Sequence, residues 1–125
     1  MKATVVINEQ HSMLPDQVRV MDTIFGSGEW DEFPVPAAGW SYSEMLPIAG
    51  SLIETAETLG TAEEPFTVVF LSPVPAMLKL LAKRSGQEDC RFLDICVFHN
   101  DHREAKELPN GKVIHTVAKT GWILV

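Results

Sequence analysis

The sequence predicts the α/β class, and three observations predict it. Short runs of strand length, rich in β-branched and aromatic residues, alternate with stretches whose apolar residues recur at helical spacing. The run Phe66 to Leu71 carries no charge, as a strand covered on both faces does. After His99 the character changes, and Pro109-Asn110-Gly111 marks a hairpin turn between two alternating segments. Together they describe a Rossmann-like three-layer sandwich with a mostly parallel central sheet and an antiparallel C-terminal edge.

The chain is organised around Phe66 to Gly86. Phe66 to Leu71 reads as the central strand, and Ser72-Pro73-Val74-Pro75 turns the chain, with Pro75 suited to a first helical position. Met77, Leu78, Leu81 and Ala82 then form the inward stripe of a helix that carries Lys79, Lys83 and Arg84 outside it and stops at Gly86. In open α/β sheets ligands bind at the carboxyl ends of such strands, so Ser72 to Pro75 is expected to line any site.

Before it, Thr4 to Ile7 is a short apolar strand ending in the polar loop Asn8 to Ser12. A helix starts near Pro15, with Leu14, Val18, Met21 and Phe25 as its stripe, and ends at Gly26-Ser27-Gly28. Trp30 to Val35 reads as a short strand that Pro34 and Pro36 confine to an edge or an extended connection. Ser43 or Ser41 caps a helix that buries Met45, Ala49, Leu52, Ile53, Ala56 and Leu59 and ends at Gly60, with Pro47 in its first turn. Arg91 to His99 alternates: Phe92, Asp94, Cys96 and Phe98 point one way, and Leu93, Ile95, Val97 and His99 the other. Asp94 is the anomaly, a charge that suggests an edge, an interface or a polar partner. The hairpin Arg103 to Leu108 and Lys112 to Ala118 follows, expected to close the domain, and Trp122 to Val125 is an apolar tail that must be buried on the chain's own sheet or on a partner, a homodimer being the simplest.

The 125 residues fit one domain. No apolar run approaches the roughly 20 residues of a membrane span, and the N-terminus reads directly as a strand rather than a signal peptide, so the expectation is a soluble cytoplasmic protein with no membrane partner. Cys90 and Cys96 form no metal or redox motif and read as reduced thiols. A net charge of −7 argues against long nucleic acid, whose binding needs many Lys and Arg contacts to phosphates. A small anion in a local pocket fits the composition.

No Gly-x-Gly-x-x-Gly follows the first strand, and there is no Walker-type loop and no Gly-x-Ser-x-Gly elbow. What remains is the convergence of three polar loops at the strand ends: Asn8 to Ser12, Ser72 to Pro75, and His99 to Arg103. The candidate ligand-binding residues are Asn8, Gln10, His11, Ser12, Ser72, Pro73, Val74, His99 and Arg103. His11 is the candidate base, since imidazole titrates near neutral pH; its plain reading is a loop or capping histidine. Ser72 can hold an anion or cap the following helix. His99, Asp101 and His102 suggest a metal set without a third element, and a solvated loop is the plainer reading; no metal and no cofactor is expected. Trp30, Trp40 and Tyr42 can stack on a base or pack on the sheet.

The opening, Ile7-Asn8-Glu9-Gln10-His11-Ser12-Met13-Leu14-Pro15-Asp16-Gln17-Val18, resembles the start of a family of small proteins encoded beside type III CRISPR systems. In that family a strand ends in Ile-Asn, a histidine follows three residues later, and Pro-Glu-Gln opens the first helix. Here Asp16 replaces the glutamate, and Glu9, Gln10 and Ser12 depart from the family's residues around the histidine. Val69 to Leu81, with its proline-containing turn and Leu-rich helix, is similar to the second marker. The resemblance implies a fold related to the CRISPR-associated sensor domains, a homodimer or higher homo-oligomer, and cyclic oligoadenylate as ligand. Such proteins lower this second messenger in antiviral defence by sequestering it or by cleaving it as metal-independent ring nucleases. Cleavage would send an adenosine 2′-hydroxyl onto the adjacent phosphorus, with His11 as base and Ser72 and the helix N–H groups holding the phosphate. Two other readings stand beside it: a structural or interaction subunit without small-molecule chemistry, and a small-nucleotide hydrolase using His99 and His102.

Overall fold

The computed structural model describes residues Met1 to Val125. Strand β1 (Ala3–Asn8) leads through helix α1 (Pro15–Phe25) to β2 (Trp30–Val35), and α2 (Tyr42–Leu59) leads to β3 (Phe66–Phe70). Helix α3 (Pro75–Arg84) then leads to β4 (Leu93–His99), the hairpin β5 (Arg103–Glu107) and β6 (Val113–Val117), and β7 (Ile123–Leu124). The main sheet has the order β2-β1-β3-β4-β7. Strands β1 to β4 are parallel, and β7 closes one edge antiparallel to β4. This is the Rossmann-like α/β arrangement, with the strand order reversing direction between β1 and β3.

The two faces of the sheet hold separate cores. On one, Val6, Val68, Phe70 and Leu93 pack with Met45, Leu52 and Ile53 of α2 and Met77 and Leu81 of α3. On the other, Val5, Ile7, Val69 and Phe98 pack with Val20 and Met21 of α1, and Trp122 joins them. All five residues of β3 are buried, as an uncharged central strand requires. β2 is an edge strand, and Pro34 falls on it where no further strand needs its missing N–H.

Several helix details differ from the sequence reading. The inward side of α1 is Gln17, Val20 and Met21, because Gln17 turns in and its Oε1 accepts the Leu14 N–H at 2.9 Å, satisfying a free donor of the first turn. Ser41 caps α2, accepting the Glu44 N–H at 3.2 Å, and the helix starts at Tyr42. Pro47 therefore lies beyond the first turn, and is tolerated because it and Ser43, whose carbonyl loses a donor, are both exposed to water. Leu59 and Ala82 face solvent rather than the core.

The C-terminal region departs furthest. The hairpin does not close the sheet: β5 and β6 form a two-stranded sheet of their own, and every residue of both strands is exposed. The closing strand is the tail, whose burial alternates: Trp122 and Leu124 pack inward while Ile123 and Val125 face out. Asn100 joins the two parts. Its buried amide Nδ2 donates to Thr120 O at 2.8 Å, and its Oδ1 accepts the His102 N–H at 2.9 Å. Asp94 stands on the part of β4 that β7 does not cover, and its carboxylate accepts the outward Ile95 N–H at 2.9 Å. No helix is long and apolar enough to cross a membrane.

Candidate functional site

The reversal of strand order opens a groove at the carboxyl ends of β1 and β3. Asn8, Val35, Ala37 to Trp40, Met45 and Ser72 to Ala76 line a cavity of about 340 Å³ there. Main-chain and side-chain bonds hold its two sides together. Ser72 Oγ accepts the Asn8 N–H at 2.8 Å, and the Ser72 N–H donates to Val6 O at 3.1 Å. On the other flank the Glu9 N–H donates to Val35 O at 2.8 Å while its carboxylate accepts the Ala37 N–H at 2.9 Å. The end of β1 is thus tied to both neighbouring loops.

This arrangement revises the role of Ser72. One of its two expected roles is to cap α3, but the N-cap is Val74 and no side chain caps the helix. Ser72 is buried and spends its oxygen on β1 instead. The first turn of α3 is left with Pro75, which has no N–H, followed by donors that no side-chain cap answers. Pro75 and Ala76, at the positive end of the helix dipole, lie on the groove wall, a setting that favours an anion.

Of the nine expected ligand residues, Asn8, Ser72, Pro73 and Val74 come together in the groove. Gln10, His11 and Ser12 sit exposed in the loop above β1; Asn8 shapes that loop, its Oδ1 accepting the Gln10 N–H and its carbonyl the His11 N–H, both at 2.9 Å. His99, the last residue of β4, and Arg103, the first of β5, do not line the groove. The Arg103 Nη1 donates to the carbonyls of Asn100 and His102, at 2.7 and 2.9 Å, so the guanidinium braces the start of the hairpin. His99 Nε2 meets Asp101 Oδ1 at 2.6 Å, and this bond, with the histidine's charge, holds the Asp101 carboxyl below its ordinary range.

A second, more apolar cavity of about 330 Å³ lies on the α3 side, lined by Phe70 to Pro75, Leu78, Val97 and Phe98. It shares Ser72 to Pro75 with the groove, so this turn stands between the two.

Of the loop between β2 and α2 the sequence reading singled out Trp40 alone. Ala37, Ala38 and Gly39 line the groove, and Trp40 stands with them, its ring edge-to-face with Phe33 at 6.0 Å. The signal was present in Pro36 and Gly39, which mark a turn after an edge strand. The other aromatics go elsewhere: Trp30 donates its indole N–H to Asp22 at 2.8 Å, and Tyr42 lies with Lys79 and Lys83 on the outer surface. Cys90 and Cys96 are free thiols whose pKa burial pushes up, so neither is an activated nucleophile. Comparison with family models, with curated proteins and with solved structures found no match.

Proposed function

We propose that the protein binds cyclic oligoadenylate, with cyclic tetra-adenylate as the preferred form, and removes this second messenger in type III CRISPR defence by sequestration or by ring cleavage. The observation that carries the reading is the groove at the strand-order reversal, where the uncapped start of α3 faces Asn8 and the Trp40 loop. An acidic chain can hold a phosphate only where oriented N–H groups make the potential locally positive, and this is such a place. Trp40 supplies an aromatic edge for an adenine. The two segments that resemble the CRISPR-associated family both reach this groove, the opening Ile7 to Val18 through Asn8 and the turn before α3 through Ser72 to Pro75. A cavity of about 340 Å³ is at the small end for drug-sized ligands, so a ring of nucleotides lies across the rim with one phosphate against α3. On this reading the exposed His11, in the loop above β1, is the candidate base for a 2′-hydroxyl, and the α3 N–H groups stabilise charge on the phosphoryl oxygens.

Incubation with cyclic tetra-adenylate, followed by calorimetry for binding and chromatography for ring integrity, tests the reading. Tight binding with the ring intact means sequestration, and linearisation means a ring nuclease. Absence of binding overturns the proposal. A second reading, hydrolysis of a small nucleotide, has the His99–Asp101 pair in its favour, since a carboxylate at 2.6 Å orients an imidazole for proton transfer. Turnover of linear nucleotides that is lost in His99→Ala would select it.

A further inference from the structure

Every open strand edge in the protein but one carries a guard against pairing with another chain. β2 has Asp31, Glu32 and Pro34. The uncovered part of β4 folds the Asp94 carboxylate onto its own Ile95 N–H. β7 is only two residues long, and β5 reads Arg-Glu-Ala-Lys-Glu. Charges, proline and shortness are the devices that blunt edges. β6 has none of them: it reads Val-Ile-His-Thr-Val, and all five residues are exposed, Val113 at 58%.

The phase of the hairpin shows which groups that edge presents. The Leu108 N–H donates to Lys112 O at 2.7 Å at the turn, and the Ala118 N–H to His102 O at 3.5 Å at the base. Bonded pairs in an antiparallel ladder fall on alternate residues, so Ile114 and Thr116 face β5 with their main-chain groups. The N–H and C=O of Val113, His115 and Val117 point away from it.

We propose that β6 is a self-association edge: two copies join β6 to β6, antiparallel, across a two-fold axis at His115, and their hairpins become one four-stranded sheet. The strand is its own complement in this register. Val113 stands opposite the partner's Val117, Ile114 opposite the partner's Thr116, and His115 opposite the partner's His115, so each outward N–H meets a carbonyl and no fixed charge opposes its like. The charged β5 strands become the outer edges, which are then guarded. Joining β5 to β5 instead would match Arg103 with Glu107 at the surface, a pairing worth little, and would leave the uncharged edge open. A two-stranded hairpin with no core of its own is marginal in water, and joining two of them adds two strands and a set of β-branched cross-strand pairs to each. The inference gives the expected homodimer a surface and is independent of the ligand reading.

Light scattering on the full chain, alone and as variants, tests it. The wild type is expected to be a dimer. His115→Lys and His115→Glu each place like charges across the two-fold axis, and each alone is expected to dissociate at least about tenfold more readily, while an equimolar mixture recovers the dimer. Far-UV circular dichroism of each variant reports whether the main sheet is intact. A monomeric wild type, a dimer indifferent to both variants, or failure of the mixture to recover it overturns the proposal.

Discussion

Asp16, in the first turn of α1, accepts the main-chain N–H of Trp122 at 3.1 Å across 106 residues of sequence. Its other oxygen takes the Arg19 guanidinium at 2.9 Å. The first helix thereby holds the closing strand, and Trp122 is set edge-to-face on Phe98 at 6.1 Å. The Trp122 N–H is the largest cause, and Arg19 the next, of an Asp16 pKa below the ordinary carboxylate value.

Asp16→Ala is expected to free the tail, read as faster amide hydrogen exchange at Trp122 to Val125 with the β1 and β3 amides unchanged. The pH dependence follows from the direction of the shift. The folded carboxyl releases its proton more easily than the unfolded one, so its contribution is complete above the unfolded value of about 4 and is lost as pH falls through the folded value. The difference in Tm between wild type and Asp16→Ala should be largest near neutral pH and shrink toward zero under strong acid.

Thr4, the second residue of β1, is 4% exposed, and its Oγ1 is buried with no hydrogen-bond partner. An unanswered buried hydroxyl costs free energy, and valine has nearly the same shape. Thr4→Val is expected to stabilise the protein by about 1 kcal/mol, measured by urea titration; a lowered midpoint would show that the hydroxyl is satisfied in solution.

Gly60 is required by space rather than by its backbone angles. It ends α2 at φ −85°, which any residue adopts, but an added Cβ would lie 2.6 Å from Phe92 O and 2.8 Å from both Ala56 O and Phe66 N. None of these main-chain atoms can swing aside. Gly60→Ala is expected to cost about 2 kcal/mol or more, in the range of overpacked sites, and to shift the denaturation midpoint down.

Val74→Asp separates anion binding from stability. A carboxylate at the N-cap answers the free donors of α3, worth about 1 kcal/mol, which offsets the lost packing of a half-buried valine. The same carboxylate occupies and repels the place assigned to a phosphate. Calorimetry is expected to show at least a tenfold loss of cyclic tetra-adenylate affinity with Tm nearly unchanged, which a groove that binds no anion would not produce.

If the ring is cleaved, His11→Ala is expected to slow linearisation by about a hundredfold with little change in affinity, as removal of a general base does. His99→Ala should leave the rate intact. Single-turnover assays by chromatography distinguish the two, and the reverse pattern would move the base to the His99–Asp101 pair.

Elements built on local periodicity were legible in the sequence. The uncharged run at Phe66, the stripe of α2 and the Pro109-Asn110-Gly111 turn each state their structure within a few residues. The candidate groove was legible where it depends on strand ends, hence Asn8 and Ser72 among its lining. The bond that joins those two spans 64 residues, and no local pattern announces it, so Ser72 read as a helix cap. Gln17 interrupted the apolar stripe of α1 because a polar side chain turned inward to serve the backbone. The hairpin read as sheet because alternation is the same for a strand that joins a sheet and for one that stands apart.

Asn100 and Thr120 are the points where the chain leaves the main sheet and returns to it, and the amide bond of 2.8 Å between them brings the two ends of the intervening segment together. A segment whose ends already meet adds little closure entropy to the domain that carries it. The hairpin is therefore an insertion in the topological sense, a piece that can be shortened, lengthened or exchanged without re-threading the sheet. Evolution and the protein engineer have the same licence at this position: the α/β body can be kept while its protruding arm is replaced.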